Sequence, residues 1–177
     1  METNAGGWTA IQLRKTGSVN FTRNWHDYKV GFGIPQMDYW IGNDAIHQLT
    51  KDRPSLYILL TNYGVTKYAV YNEFSVSDEN DNYRLFIAGP VTGTLGDKMI
   101  NTDRSHNGMP FSTPDLDKDT SGSRRCADIM AGGWWFSSCH RAFLNGPWAS
   151  VNWREPWSPD LMDGLGITET RMMIRPR

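Results

Sequence analysis

Phe111-Ser-Thr-Pro-Asp115-Leu-Asp117-Lys-Asp119-Thr-Ser121-Gly-Ser-Arg-Arg-Cys126 places three carboxylates at alternate positions ahead of small residues that let a backbone curl. Calcium takes six to eight oxygens in a flexible geometry, and such a loop offers carboxylates first and free carbonyls next. An EF-hand is excluded, because its sixth position is Thr120 rather than Gly and its twelfth is Cys126 rather than Glu. The alternative is a solvated acidic turn partly neutralised by Lys118. Cys126 and Cys139 lie 13 positions apart with turn formers and aromatics between them. A disulfide closes a loop of that length readily, and two buried free thiols are the other reading.

Outward from this stretch, Trp134, Trp135 and Phe136, then Trp148, Trp153 and Trp157, gather aromatics around the acidic loop and the cysteines. Most belong to a core. A few would serve as walls of a shallow sugar site, where a ring meets the apolar side of a pyranose or an acetyl methyl. Upstream, Trp8 to Leu13 alternates apolar and polar residues, and Ser55 to Thr61, Lys67 to Phe74 and Tyr83 to Ala88 are rich in β-formers, as an antiparallel sheet requires. Asp44 to Thr50 suits a short helix capped by Asn43 or Asp44. Turn formers recur from Gly89 to Pro159, a long loop-built region. Ordering each residue there costs roughly 1 to 2 kcal/mol, so a metal and a disulfide are the expected reinforcement. Thr170 to Pro176 alternates again as a closing strand. The fold class is α+β, with a central antiparallel sheet and few short helices.

The 177 residues fit one domain, and 39% hydrophobic residues with eight Trp allow a sizeable core. A net charge of −1 with scattered Lys and Arg leaves no footprint for nucleic acid. No apolar run approaches the ~18 residues of a membrane span. Asn20-Phe-Thr22 is an N-glycosylation acceptor in a secretory context. The sequence holds no Gly-x-Ser-x-Gly, His-Glu-x-x-His or Walker loop, and Gly31-Phe-Gly33 and Gly164-Leu-Gly166 lack the third glycine of a dinucleotide fingerprint. Cys139 and His140 are adjacent, so in extended backbone they point apart and form no dyad. Lone histidines such as His26, His47 and His106 read as surface or satisfied core residues. No enzymatic activity is expected.

Gly6-Gly-Trp-Thr9, Phe111-Ser-Thr113, the Asp115–Asp119 run, Cys126-Ala127, Gly133-Trp-Trp-Phe136, Cys139-His140, Leu144-Asn-Gly146, Val151-Asn-Trp153 and Met173-Ile-Arg-Pro176 together resemble the fibrinogen-related (fibrinogen C-terminal-like) domain. The match runs through nearly the whole sequence in order, with ficolin-like and tachylectin-like lectins of invertebrate type as the nearest comparison. It implies one domain over residues 1–177. Because Met1-Glu2-Thr3 resembles the text just after the domain's first cysteine, the usual opening strands and first disulfide are expected to be missing.

The resemblance further implies a secreted, extracellular domain with a Cys126–Cys139 disulfide. Calcium (Ca2+) would be held by carboxylates of Asp115 and Asp117 and by loop positions Asp119 and Ser121. It places an acetyl pocket at Met130, Cys139, His140, Trp148 and Ala149, with a cis Cys139–His140 bond aiming backbone donors at the ligand. Met130 stands where an aromatic residue is usual, and the segment between Gly146 and Val151 is short, so one rim is cut back. The expected function is a lectin for N-acetylhexosamines or sialic acid in innate recognition or agglutination, with Arg141 or Arg154 pairing the acid. Weak single sites would need a homo-oligomer. The alternative is a protein- or receptor-binding fibrinogen-like module.

Overall fold

A computed structural model describes residues 7–148, 152–153 and 167–176. A seven-stranded sheet, antiparallel at every pairing, runs in the order β2 (Phe32–Gly33), β3 (Tyr39–Trp40), β1 (Thr9–Arg14), β11 (Ile167–Arg175), β4 (Ser55–Asn62), β5 (Val65–Tyr71) and β8 (Thr92–Gly93). A hairpin of β6 (Glu73–Val76) and β7 (Leu85–Ala88) stands beside it, and β9 (Ala142–Phe143) pairs with β10 (Asn152–Trp153). The helices are α1 (Trp25–Val30), α2 (Asn43–Leu49) and α3 (Cys126–Met130).

Alternation decides which face of β4 is buried: Leu56, Ile58 and Leu60 are fully covered while Ser55, Tyr57, Leu59 and Thr61 face the other way. The expected strand over Lys67–Phe74 is interrupted at Asn72, because Phe74 leaves the sheet to pair with Ile87 in the hairpin. β1 departs from simple alternation. A bulge between Ala10 and Gln12 puts Ile11 through Arg14 all out of solvent.

α2 begins one residue earlier than expected, and its cap is Gly42 at φ 105. A side chain there would lie 2.7 Å from the Val30 carbonyl carbon, so glycine is required. Asn43 is instead the first helical residue and accepts from Trp40 Nε1 at 3.1 Å. α1 lies where the periodicity predicts no helix, although Asn24 is its cap and accepts from Asp27 N at 2.8 Å.

The core is a continuous aromatic assembly. Tyr28 touches Trp40 and Phe111, Phe111 meets Trp135 edge-on at 5.2 Å, and the ring contacts continue through Trp134 and Phe143 to Phe136 and His140. Such edge-to-face pairs add to the burial they accompany. Around this core, irregular backbone is held by buried side chains. Asp38 accepts from Lys15 N, Thr16 N, Val19 N and the Thr16 hydroxyl at 2.7–3.1 Å. Burial alone would raise its carboxyl, but these donors hold it far below the ordinary carboxylate range. Asp97 does the same for Met99 N, Ile100 N and Asn101 N.

Candidate functional site

The loop face is built from α3, the 133–148 segment and the acidic loop, and the Cys126–Cys139 disulfide joins the first two. The pairing of these cysteines is therefore as expected. Gly133 leads into it: its N–H donates to the Tyr28 hydroxyl at 3.0 Å, and a Cβ there would sit 2.6 Å from the Tyr28 ring. Ser112 and Trp134 then exchange backbone hydrogen bonds, pinning the acidic loop's root to the aromatic core.

Two strand residues reach out of the sheet to grip the same segment. Gln12 Nε2 donates to Leu144 O and Asn145 Oδ1, both at 3.2 Å, and Asn145 Nδ2 donates on to Gly133 O at 3.1 Å. Arg14 Nη1 donates to the carbonyls of Leu144 and Gly146. Its guanidinium lies 4.0 Å over the Phe21 ring and 5.3 Å from Trp148. Burial lowers Arg14 to about 10, still charged at neutral pH. Sequence reading misses Gln12 and Arg14, because alternation alone assigns them to the polar side of β1.

His106 is a third grip. Its Nδ1–H donates to Trp135 O at 2.7 Å while Nε2 accepts from Arg141 N and Ala142 N, each at 3.2 Å. Only the neutral imidazole supports this pattern. Burial lowers its pKa to about 4, against smaller opposing effects of the Trp135 carbonyl and Asp97.

Among the expected pocket residues, Cys139 and His140 are buried, and the His140 ring packs on Phe136 and Phe143 at 6.1 and 5.2 Å. The cis peptide is Ser138–Cys139, not Cys139–His140 as expected. Arg141 grips Asp103 with two hydrogen bonds of 2.6 and 2.7 Å, so its guanidinium is engaged within the protein. Met130 is half-buried against the core beside the disulfide, and Trp148 lies with Arg14 and Gly17. Ala149 and Arg154 lie outside the described residues.

In the acidic loop, Asp115 turns toward α1, accepting from Trp25 N at 2.9 Å and the Thr113 hydroxyl at 2.7 Å. Asp117 accepts from Asp119 N, and Asp119 accepts from Ser121 N and Cys126 N. Asp119 is raised by burial and by the neighbouring Asp117 carboxylate. No three His, Cys, Asp or Glu side chains converge as metal ligands among the described residues. Asp117 and Asp119 are the loop carboxylates that lie beside each other.

Comparison with known proteins adds family context. Residues 1–177 match the family described as fibrinogen beta and gamma chains, C-terminal globular domain. The protein is 41% identical over 193 residues to fibroleukin of Bos taurus, covering 100% of this chain and 44% of that protein. It is 40% identical over 184 residues to angiopoietin-2 of Canis lupus familiaris, covering 99% of this chain and 36% of that protein. It thus spans less than half the length of these curated relatives. The fibrinogen-like globe domain of human ANGPTL6 superposes with a TM-score of 0.87 at 37% identity, over 99% of this chain and 81% of that one. Lamprey fibrin D-dimer complexed with the peptide ligand Gly-His-Arg-Pro-amide gives a TM-score of 0.84 at 32% identity, over 98% of this chain and 62% of that one. These relatives do not support a ficolin or tachylectin type.

Proposed function

Because this protein belongs to the family of C-terminal globular domains of the fibrinogen beta and gamma chains, we propose that it is a secreted, non-enzymatic module whose loop face binds a segment of another protein. The observation that carries this reading is the lamprey relative, whose structure holds a short peptide of Gly, His, Arg and Pro. The exposed charged side chains on the loop face are of both signs, Asp115, Asp117 and Asp128 standing with Lys118, Arg124 and Arg125. The anionic-sugar reading loses support because Arg141 is bound to Asp103 and His140 is enclosed by aromatic rings. Among the described residues no helix is long and apolar enough to cross a membrane.

Gly-His-Arg-Pro-amide on a fluorescent tag is expected to bind the folded protein saturably, and free N-acetylglucosamine or sialic acid to leave that binding unchanged. Competition by either sugar, with an acetylated-glycan signal on an array, would return the site to the lectin reading.

Calcium, in this reading, stiffens the acidic loop through Asp117 and Asp119, with the Ser121 carbonyl among the remaining oxygens. An ion bound only by the native state stabilises it by RT ln(1 + [L]/Kd), about 2.7 kcal/mol at one hundred times Kd. Adding calcium to chelator-treated protein should therefore raise the melting temperature, and Asp119→Asn should abolish most of the increment. An equal rise in the variant would remove Asp119 from the site.

A further inference from the structure

A second recessed surface lies on the β6–β7 hairpin, with none of its lining drawn from the loop face; its volume is about 530 Å³. Strand alternation produces it. Ser75 and Phe86 are cross-strand partners, and Ser77 and Arg84 follow in register, so these four share the outward face of the hairpin. The two serines are short and keep the floor low. Lys51 and Arg53, from the segment after α2, form one wall, and Asn107 and Gly108 form the other.

The polar groups of this trough are donors almost throughout. Lys51 is exposed and stands in no ion pair among the described residues. The Arg53 guanidinium lies 4.1 Å over the Phe86 ring, with Glu73 at 3.5 Å. Asn107 Oδ1 accepts from Ile87 N at 3.0 Å, which leaves its amide NH2 as the group still to be satisfied. The one carboxylate in the lining, Asp81, is spent on Arg84 at 3.1 and 3.2 Å. With Arg53 paired to Glu73 and Arg84 to Asp81, the surplus positive charge of this surface is carried by Lys51, on a protein whose net charge is −1. Such a surface asks for an anionic ligand. Its apolar surface is supplied by the outward Phe86 ring, with Val76 and Leu85 nearly covered at its edge. That suits a peptide with an apolar side group between carboxylates better than a sulfated polysaccharide, which has no apolar side group to offer.

We propose that this trough is a second docking surface, for an extended acidic segment of a partner protein, with an apolar or aromatic side group on Phe86 and flanking carboxylates at Lys51, Arg53 and Asn107. It acts independently of the loop face.

The test is fluorescence polarisation of a labelled Asp-Glu-Phe-Glu-Asp peptide on the whole protein, beside the uncharged Asn-Gln-Phe-Gln-Asn peptide. The acidic peptide should bind saturably, weaken as salt screens the contacts, and lose about tenfold in affinity on Lys51→Glu. Lys51 is exposed, so an unchanged melting temperature shows that variant to be folded. Phe86→Ser should weaken binding at high salt as well, separating ring contact from charge. No saturable binding, equal binding of the uncharged peptide, or indifference to Lys51→Glu overturns the proposal. Binding of a heparin oligosaccharide with no binding of the acidic peptide overturns the assigned occupant. So does self-association of the free protein that Lys51→Glu abolishes, which would make the occupant a second copy.

Discussion

Between pH 6.5 and pH 4 the native state is expected to lose about 3 kcal/mol of stability through His106 alone. The ring is fully buried and gives both nitrogens to the backbone, Nδ1–H to Trp135 O and Nε2 to Arg141 N and Ala142 N. Its folded pKa is lowered from 6.5 to about 4, first by burial. In this interval the unfolded state binds the proton and the folded state refuses it, so stability falls as pH falls. The contribution is intact above 6.5, declines down to about 4, and is flat below that; each pKa unit is worth about 1.4 kcal/mol. Urea unfolding across this range should show the slope, and His106→Phe, although less stable at neutral pH, should remove it. A wild-type curve that stays level from about pH 7 to 4 would contradict the assignment. Because the folded imidazole stays neutral and keeps hold of the 141–142 backbone down to about pH 4, peptide binding by the folded protein should persist through this window and weaken only below it.

Asp38→Ala is expected to cost about 4 kcal/mol at about pH 7. The carboxylate is buried and serves the main-chain N–H groups of Lys15, Thr16 and Val19. Hydrogen bonds to a charged group are worth about 1.5 to 3 kcal/mol, and stranded donors add their own desolvation cost. Asp38→Asn, which keeps one acceptor oxygen, should cost roughly half as much. The pH window separates this group from His106. The folded carboxyl lies below its unfolded value, so its contribution is present above about pH 4 and is lost as pH falls further. A loss under about 1 kcal/mol in urea unfolding of Asp38→Ala would mean that the 15–19 turn organises itself without this residue.

The sheet is legible in sequence through its β-formers: β4 shows in the run Ser55 to Thr61, and β11 in the closing strand read over Thr170 to Pro176, although Met172, Met173 and Ile174 are all buried rather than alternating. α1 and α3, six and five residues long, complete fewer than two turns and leave too little periodicity to detect. The long irregular region is visible as a region, but its supports are not. Sequence reasoning assigns its reinforcement to a metal and a disulfide. The disulfide is there, and much of the remaining work falls to Asp97, His106, Asn145 and the inward Gln12–Arg14 pair, which bond to backbone along the irregular segments. Nothing in local spacing marks a histidine or glutamine as one that will satisfy main-chain groups far along the sequence. The same limit applies to Arg141: its eligibility for a ligand carboxylate is readable, its prior engagement by Asp103 is not.

β11 lies between β1 and β4, pairing with residues from 9 to 14 on one side and 55 to 62 on the other. During synthesis the central position of the sheet therefore stands empty until residues 167–175 have left the ribosome. A nascent polypeptide grows at about 5–20 residues per second, so β1 and β4 wait several seconds with open hydrogen-bonding edges and uncovered Leu56, Ile58 and Leu60. Folding of this domain thus waits on the strand it makes last, and stalled or nonsense-truncated products are expected to be aggregation-prone clients of chaperones rather than partly folded molecules.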